Sequence, residues 1–196
     1  MVNETPFYAL LSRMRYISRW GLMRSSIPEN IQEHSHEVAV YAHALGIVRR
    51  DVFGVDCDPE RLAVLALYHD ISEILTGDLP TPIKYHDSAL RTAYKEVERA
   101  AEEKLLSMLP EQLRGSYREA MDAQAEEARL VKAADKLSAL VKCIEERKAG
   151  NREFLSAEEQ TRASLAAMAL PEADWFMEHA LPAFEKNLDE LEAMKP

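Results

Sequence analysis

Apolar side chains recur at spacings of three and four residues along almost the whole chain, and no segment alternates apolar and polar residues over the length of a strand. This periodicity is typical of amphipathic α-helices. Capping residues and prolines predict helices that begin at Asn30, Asp58-Pro59, Asp87, about Glu126, Ser156 and Trp175. The pattern therefore predicts an all-α fold.

Glycine and proline indicate where two of the predicted helices end or bend. The helix that begins at Asp58 is expected to continue to Gly77, where glycine and the following "DLPTP" stop it. The last helix is expected to run from Trp175 to Leu191, with a kink at Pro182. The length of 196 residues and the lack of a Gly/Ser-rich linker predict one domain over residues 1–196.

Charge and cysteine content narrow the class of protein. The net charge of -10 disfavours binding to a nucleic-acid polymer, although a metal and a few basic side chains can still attract a small phosphorylated ligand. Only Cys57 and Cys143 are present, which is typical of a reduced, cytoplasmic protein. The chain has no secretion signal at its start and no long apolar run, so we expect no membrane partner.

Three predicted helices carry ionisable residues on faces that should be buried. His34 shares its face with Val38, Tyr41 and Leu45, at steps of 4, 7 and 11 residues. A single histidine there is most simply a core residue bonded to a backbone carbonyl. The interpretation of His34 therefore depends on a second group of buried ionisable residues, His69 and Asp70 at the end of "LALYHD".

His69 continues the apolar stripe of Leu62 and Leu65, and Asp70 adjoins it. A buried carboxylate must be paired or bound to a cation. An ion pair between these two neighbours is the simpler alternative, but adjacent helical positions point about 100° apart, which favours a shared external ion.

Asp135 lies beside the apolar stripe of the helix "RLVKAADKLSALVKCI". An ordinary surface pairing with Arg129 or Lys132 is an equally good explanation of this residue alone. Together with His34, His69 and Asp70, however, it completes a set of two imidazoles and two carboxylates on three helices. Helical bundles hold metals in this way, and the mixed donors suit Mn, Fe, Co, Ni or Zn better than Ca or Mg.

An isolated His, a His-Asp doublet and a distant Asp form the pattern of the HD-domain phosphohydrolases, which this chain resembles. Longer segments are similar to the bacterial 5'-deoxynucleotidases of the YfbR type: "SRW" at 18–20, "EHS" at 33–35, "YHDISEILTGDLPTPIKY" at 68–85 and "KAADKLSALVKCIEE" at 132–146. The resemblance implies an HD-domain helical bundle with a mononuclear metal site and one divalent transition metal ion such as cobalt or manganese. It also implies a homodimer that hydrolyses deoxyribonucleoside 5'-monophosphates in nucleotide salvage.

The resemblance also implies roles for individual residues. The implied catalytic residues are Glu73, Asp78 and Arg19, with Glu73 as the general acid or base. Arg19 would orient the phosphate, Trp20 would exclude a 2'-hydroxyl, and Asp78 would bind the 3'-hydroxyl of the sugar. The metal ligands would be His34, His69, Asp70 and Asp135, and the substrate would contact Arg19, Trp20, His34, Asp70, Asp78, Leu79, Pro80 and Thr81.

Three other functions remain open from the sequence. An HD phosphohydrolase of a triphosphate or a signalling nucleotide should carry more basic residues than Arg19 and Lys84. An HD-type oxygenase with two irons should carry further histidines before Asp135, and only His86 occurs there. A helical binding module without catalysis would not need the ligand set together with Glu73.

Overall fold

The computed structural model describes residues 4–80, 83 and 87–194. Within these residues the chain forms helices and no β-strand, apart from one isolated bridge between Ser18 and Asn30. The α-helices are α1 (Phe7–Leu11), α2 (Ile31–Ile47), α3 (Pro59–Tyr68), α4 (Glu73–Thr76), α5 (Ser88–Ser107), α6 (Glu111–Met121), α7 (Ala125–Lys148), α8 (Leu155–Ala167), α9 (Pro171–His179) and α10 (Leu188–Glu192). Shorter helical turns cover Ser12–Tyr16, Val48–Val52, Arg152–Phe154 and Leu181–Glu185. The predicted all-α fold is confirmed.

Polar caps begin three of the helices where the sequence predicts them. The Asn30 side chain accepts from the backbone N–H groups of Gln32 and Glu33 at the start of α2. Asp58 and Asp87 cap α3 and α5 in the same way. Each side-chain oxygen satisfies backbone donors that the first turn of a helix leaves unpaired.

Two predicted helices are broken, and one predicted cap is wrong. The helix that begins at Asp58 ends at Tyr68 rather than Gly77, and a turn separates it from α4. The segment expected to run from Trp175 to Leu191 is divided into α9, a 3-10 turn that contains Pro182, and α10. Proline cannot donate a backbone hydrogen bond, which favours the division. Ser156 lies inside α8, which begins one residue earlier.

The break after Tyr68 has a tertiary cause. Ile71 is 1% exposed and packs with Phe7, Leu105 and Leu109 in an apolar cluster away from the main core. A continuous α3 would carry each successive side chain about 100° around the helix axis. The turn instead directs Ile71 into this cluster, and it leaves Asp70 beside His34 of α2.

The main core lies between α2, α3 and α7, with α8 and α9 packed against them. Leu45, Leu62 and Leu137 are at most 1% exposed, and burial of each such side chain stabilises the fold by about 2 kcal/mol. At Gly46 the helices α2 and α3 meet at their backbones, because a Cβ there would lie 2.9 Å from the Cα of Pro59. The absence of a side chain therefore sets the spacing of the two helices that carry the histidines.

The segment between the first turns and α2 is held by a buried ion pair on α7. Glu146, which is 2% exposed, accepts from the Ser26 backbone N–H at 2.8 Å and from Lys142 Nζ at 2.5 Å. Lys142 also donates to the carbonyl of Ile27 at 2.6 Å. These contacts fix the loop that leads from Trp20 to Asn30.

No helix in the described ranges is long and apolar enough to cross a membrane. Cys57 and Cys143 are both free thiols. The assignment of residues 1–196 to one domain stays a prediction.

Candidate metal and substrate site

His34 lies on α2 and presents one ring nitrogen to the site. Its Nδ1 is 3.1 Å from Ser138 Oγ on α7, and Ser138 donates its own hydrogen to Glu37 Oε2 at 2.6 Å. Because the serine has a single hydrogen, Nδ1 of His34 must be the donor in the first contact. Its Nε2 therefore faces the site, and this atom is buried without a hydrogen bond to any described residue.

His69 caps the end of α3 and is oriented in the same way. Its Nδ1 is 2.7 Å from the backbone carbonyl of Ala66, which can only accept, so Nδ1 carries the hydrogen. Nε2 is buried and makes no hydrogen bond within the described part of the chain. The ring centroids of His34 and His69 are 5.3 Å apart. The Nε2 atoms of both rings thus point into one space.

Two carboxylates surround these nitrogens. Asp70 Oδ2 lies 3.1 Å from His69 Nε2 and 3.6 Å from His34 Nε2. The ion pair between the neighbours His69 and Asp70, which the helical geometry disfavoured, is therefore present, because α3 ends before Asp70. Asp135 Oδ1 lies 3.3 Å from His34 Nε2, while its Oδ2 accepts from Lys132 Nζ at 2.6 Å. The pairing with Lys132 that was an alternative for Asp135 is therefore present, but it occupies one oxygen and leaves the other beside His34.

The charges of this cluster favour a cation. Burial disfavours the charged form of His69, yet the adjacent Asp70 carboxylate outweighs it and raises the pKa of His69 to about 9. Burial also opposes ionisation of Asp70 and Asp135. For Asp70 the neighbouring His69, and for Asp135 the neighbouring Lys132 and His34, hold the carboxyl pKa below its usual range. The carboxylates thus attract positive charge to the point that both Nε2 atoms face.

The donor set fits a divalent metal ion. Ligand atoms of His34, His69 and Asp70 all lie within 4.8 Å of one another. Asp135 is not part of this group of three, but its Oδ1 contacts the group at His34 Nε2. The structure thus brings the four predicted ligands from three segments of the chain to one place, with two histidines that are held by their second nitrogens in the manner of metal ligands. Their individual roles as ligands stay predictions.

Arg19 and Trp20 approach the cluster from the loop before α2. Arg19 Nη1 donates to Asp70 Oδ2 at 3.4 Å, and the Arg19 side chain is 13% exposed. Trp20 has a φ angle of 60°, in the left-handed region, and its ring centroid lies 5.2 Å from that of Phe154. Both residues line a cavity of about 700 Å³, which Asp70 and Asp135 also line.

The segment after the His-Asp doublet also lines this cavity. Glu73, at the first position of α4, is 3% exposed, and it lines the cavity together with Asp78, Leu79 and Pro80. Gly77 takes a φ of 74° between α4 and this segment. Thr81, predicted to contact substrate, lies outside the described residues, as do Lys84 and His86.

The sequence interpretation missed several residues of the site. Lys132 and Lys136 line the cavity and add basic charge to that of Arg19. Ser138 orients His34, and Glu29 contacts Arg19, Trp20 and His34. The two lysines flank Asp135 in "KAADK", which is a local signal, but the contacts of Ser138 and Glu29 join residues that are distant in the chain or belong to a loop.

Solved structures share this fold. An HD-domain phosphohydrolase from Listeria innocua matches with a TM-score of 0.80 at 25% identity, over 95% of this chain and 90% of that one. An HD phosphohydrolase of cyanophage S-2L, solved with dA and one catalytic Zn2+ ion, matches with a TM-score of 0.65 at 24% identity, over 95% of this chain and 99% of that one. The helical fold and its ordered histidines and aspartates define an HD-domain phosphohydrolase.

Sequence comparison narrows this class. The family model of 5'-deoxynucleotidase YfbR-like proteins matches residues 6–184. A 5'-deoxynucleotidase of Vibrio vulnificus is 48% identical over 193 residues, which cover 97% of this chain and 100% of that protein. The 5'-deoxynucleotidase YfbR of Escherichia coli is 46% identical over 198 residues, with 100% of both chains covered. The chain therefore belongs to the 5'-deoxynucleotidase YfbR-like family, and the resemblance inferred from its motifs is confirmed.

Proposed function

We propose that the protein is a metal-dependent 5'-deoxynucleotidase, which hydrolyses deoxyribonucleoside 5'-monophosphates to deoxynucleoside and phosphate. The activity named for the Vibrio vulnificus and Escherichia coli relatives supports this reaction, because similarity extends over essentially the full length of each chain. A divalent ion, when bound, supplies Lewis acidity that polarises a phosphoryl oxygen and lowers the pKa of water.

The chain's own residues have distinct roles in this proposal. His34, His69, Asp70 and Asp135 hold the ion. Arg19 binds phosphate oxygens with its planar fork, which suits bidentate contact.

Glu73 accepts or donates the proton of the attacking water, which its buried place in the cavity wall permits. Trp20, Leu79 and Pro80 enclose the sugar, and Asp78 accepts from its 3'-hydroxyl. Thr81 is proposed in the same wall from the family resemblance alone.

The observation that carries the proposal is the pair of buried Nε2 atoms on His34 and His69, each with its Nδ1 hydrogen already bonded elsewhere. Such a pair is costly to bury unless something occupies the space between them. Two adjoining carboxylates make a cation the suitable occupant.

Phosphate release from deoxy- and ribonucleoside 5'-monophosphates, measured after chelation and again after addition of single divalent metals, tests the function. We expect turnover of deoxynucleotides only with metal. Asp70→Ala should lose both metal and turnover while circular dichroism shows an unchanged fold, and exposed Asp51→Ala serves as the matched control. Wild-type turnover by Asp70→Ala would contradict the site.

A second candidate function is hydrolysis of a nucleotide with a longer phosphate chain by the same site. It is favoured by Lys132 and Lys136, which add basic side chains to the cavity beyond those that the sequence suggested. Lys132 is paired with Asp135, which reduces the charge it offers to substrate. Faster release from a deoxynucleoside triphosphate than from the monophosphate would establish this alternative.

We further propose cobalt or manganese as the ion, a homodimer as the assembly and cytoplasmic nucleotide salvage as the setting. Mixed nitrogen and oxygen donors support a transition metal, the two free thiols support a reducing compartment, and the family resemblance supports the dimer. Metal analysis of protein purified without added metal and light scattering of the full chain test the first two.

A further inference from the structure

Glu29 lies just before α2 and contacts three residues of the site without lining the cavity itself. Its Oε2 accepts from Trp20 Nε1 at 2.5 Å. Its Oε1 lies 3.4 Å from Arg19 Nε and 3.4 Å from His34 Nδ1. The Glu29 side chain is 13% exposed, so these contacts are poorly screened by solvent. One side chain thus joins the residues proposed to bind phosphate and to enclose the sugar.

The backbone at Trp20 requires such support. A φ of 60° is uncommon for a residue with a side chain, and it costs about 1–2 kcal/mol relative to ordinary backbone. The conformation is held by a turn from Met23 N–H to the Trp20 carbonyl at 2.8 Å, and by the Arg19 N–H that donates to the Glu29 carbonyl at 3.0 Å. The main chain and the side chain of Glu29 therefore hold the same dipeptide.

The direction of the indole is determined from two sides. Phe154 packs against the ring of Trp20 with centroids 5.2 Å apart, and this contact alone allows the indole to slide in its plane. The hydrogen bond from Nε1 to Glu29 removes that freedom. A carboxylate is well suited here, because one oxygen can accept from the indole while the other faces a guanidinium.

We propose that Glu29 is a positioning residue that holds Trp20 and Arg19 in one fixed arrangement, so that discrimination against a 2'-hydroxyl and orientation of the phosphate depend on the same side chain. This inference rests on the proposed 5'-deoxynucleotidase function. Glu29 acts through its two partners and does not touch the substrate.

Two substitutions separate the contributions of its oxygens. Glu29→Ala removes both contacts, and we expect KM for a deoxynucleoside monophosphate to rise about tenfold and the ratio of deoxy to ribo kcat/KM to fall about tenfold. Glu29→Gln keeps an acceptor for the indole but loses the charge beside Arg19. It should raise KM similarly while its deoxy-to-ribo ratio stays within about twofold of wild type. Exposed Glu33→Ala, on the first turn of α2, is the matched control and should change neither.

A spectroscopic measurement tests the same contact without turnover. The chain has 2 tryptophans, so Trp175→Phe leaves Trp20 as the only indole. In this background, Glu29→Ala should shift the Trp20 emission to longer wavelength and increase its quenching by acrylamide. Glu29→Gln should retain emission near that of the parent, because its side chain still accepts from the indole. A purely structural role of Glu29 would not predict this difference between the Ala and Gln variants.

The possible outcomes are distinct. If wild type releases no phosphate from deoxynucleotides, the proposed function fails, while the fluorescence still reports on the contact. If wild type is active and Glu29→Ala leaves both the ratio and the emission unchanged, the inference is overturned. If Glu29→Ala loses metal but keeps the wild-type ratio of deoxy to ribo kcat/KM, the inference is also overturned, because Glu29 would then act through His34. If Glu29→Ala does not fold, an unchanged KM in Glu29→Gln overturns it.

Discussion

The buried ion pair on α7 gives a pH-dependent stability that can be worked out from its contacts. Burial alone would raise the pKa of Glu146, but hydrogen bonds from Lys142, Asn151 and the backbone of Ser26 outweigh it and lower the pKa to about 2. Relative to the ordinary value of 4.5, this corresponds to about 3 kcal/mol of folding free energy at neutral pH.

The direction of the effect follows from proton binding. The folded protein holds Glu146 ionised at pH values where the unfolded chain binds a proton, so this stabilisation is complete above about pH 4.5. It is lost as the pH falls from there towards 2. By linkage, nearly half of it should be gone at about pH 3.5.

Glu146→Gln tests this stabilisation by the ionised carboxylate. Urea denaturation of wild type and variant, both with chelator present, should give a free-energy difference of about 3 kcal/mol at pH 7 that shrinks to about half at pH 3.5. Exposed Glu159→Gln on α8 is the control and should show no such trend. A difference that stays constant over the whole range would refute the assignment of the stabilisation to the ionised carboxylate.

Four further outcomes are expected. Glu73→Gln should lower turnover by about 10²–10⁴ with unchanged metal content, and loss of metal would make its role structural. Trp20→Ala should narrow the ratio of deoxy to ribo kcat/KM, and an unchanged ratio would remove it from discrimination. Removal of metal by a chelator should abolish phosphate release, and a divalent ion should restore it; persistent turnover would contradict the metal site. Gly46→Ala should lower the unfolding free energy by about 1–2 kcal/mol in urea, because its Cβ would lie 2.9 Å from the Cα of Pro59. Gly115→Ala, with nothing within 4 Å of its Cβ, should be neutral or stabilising, and equal losses would refute the steric reasoning.

The features that the sequence predicted correctly depend on residues close to one another in the chain. The caps at Asn30 and Asp58 act on backbone groups two or three residues away, so the sequence alone placed the starts of α2 and α3. The ionisable residues His34 and Asp70 stood out because each adjoins an apolar stripe on its own segment. That signal needs no knowledge of the neighbouring helices.

Long-range contacts account for what was missed. The end of α3 at Tyr68 depends on the burial of Ile71 beside Leu105, a partner far along the chain. Ser138 acquires its role only because α7 lies against α2, 104 residues away in sequence. The role of Glu29 arises from a loop whose path is determined by tertiary contacts.

The backbone contact between Gly46 and Pro59 determines how far His34 lies from His69. Gly46 lies twelve residues beyond His34, about 18 Å along the helix, and Pro59 lies at the start of the helix that ends at His69. A rotation of about 5° around this contact would displace the far end of α2 by roughly 1.6 Å, comparable with the difference between coordinating and not coordinating an ion. A side chain introduced at Gly46 would therefore shift His34 relative to His69, although Gly46 lies far from both imidazole rings.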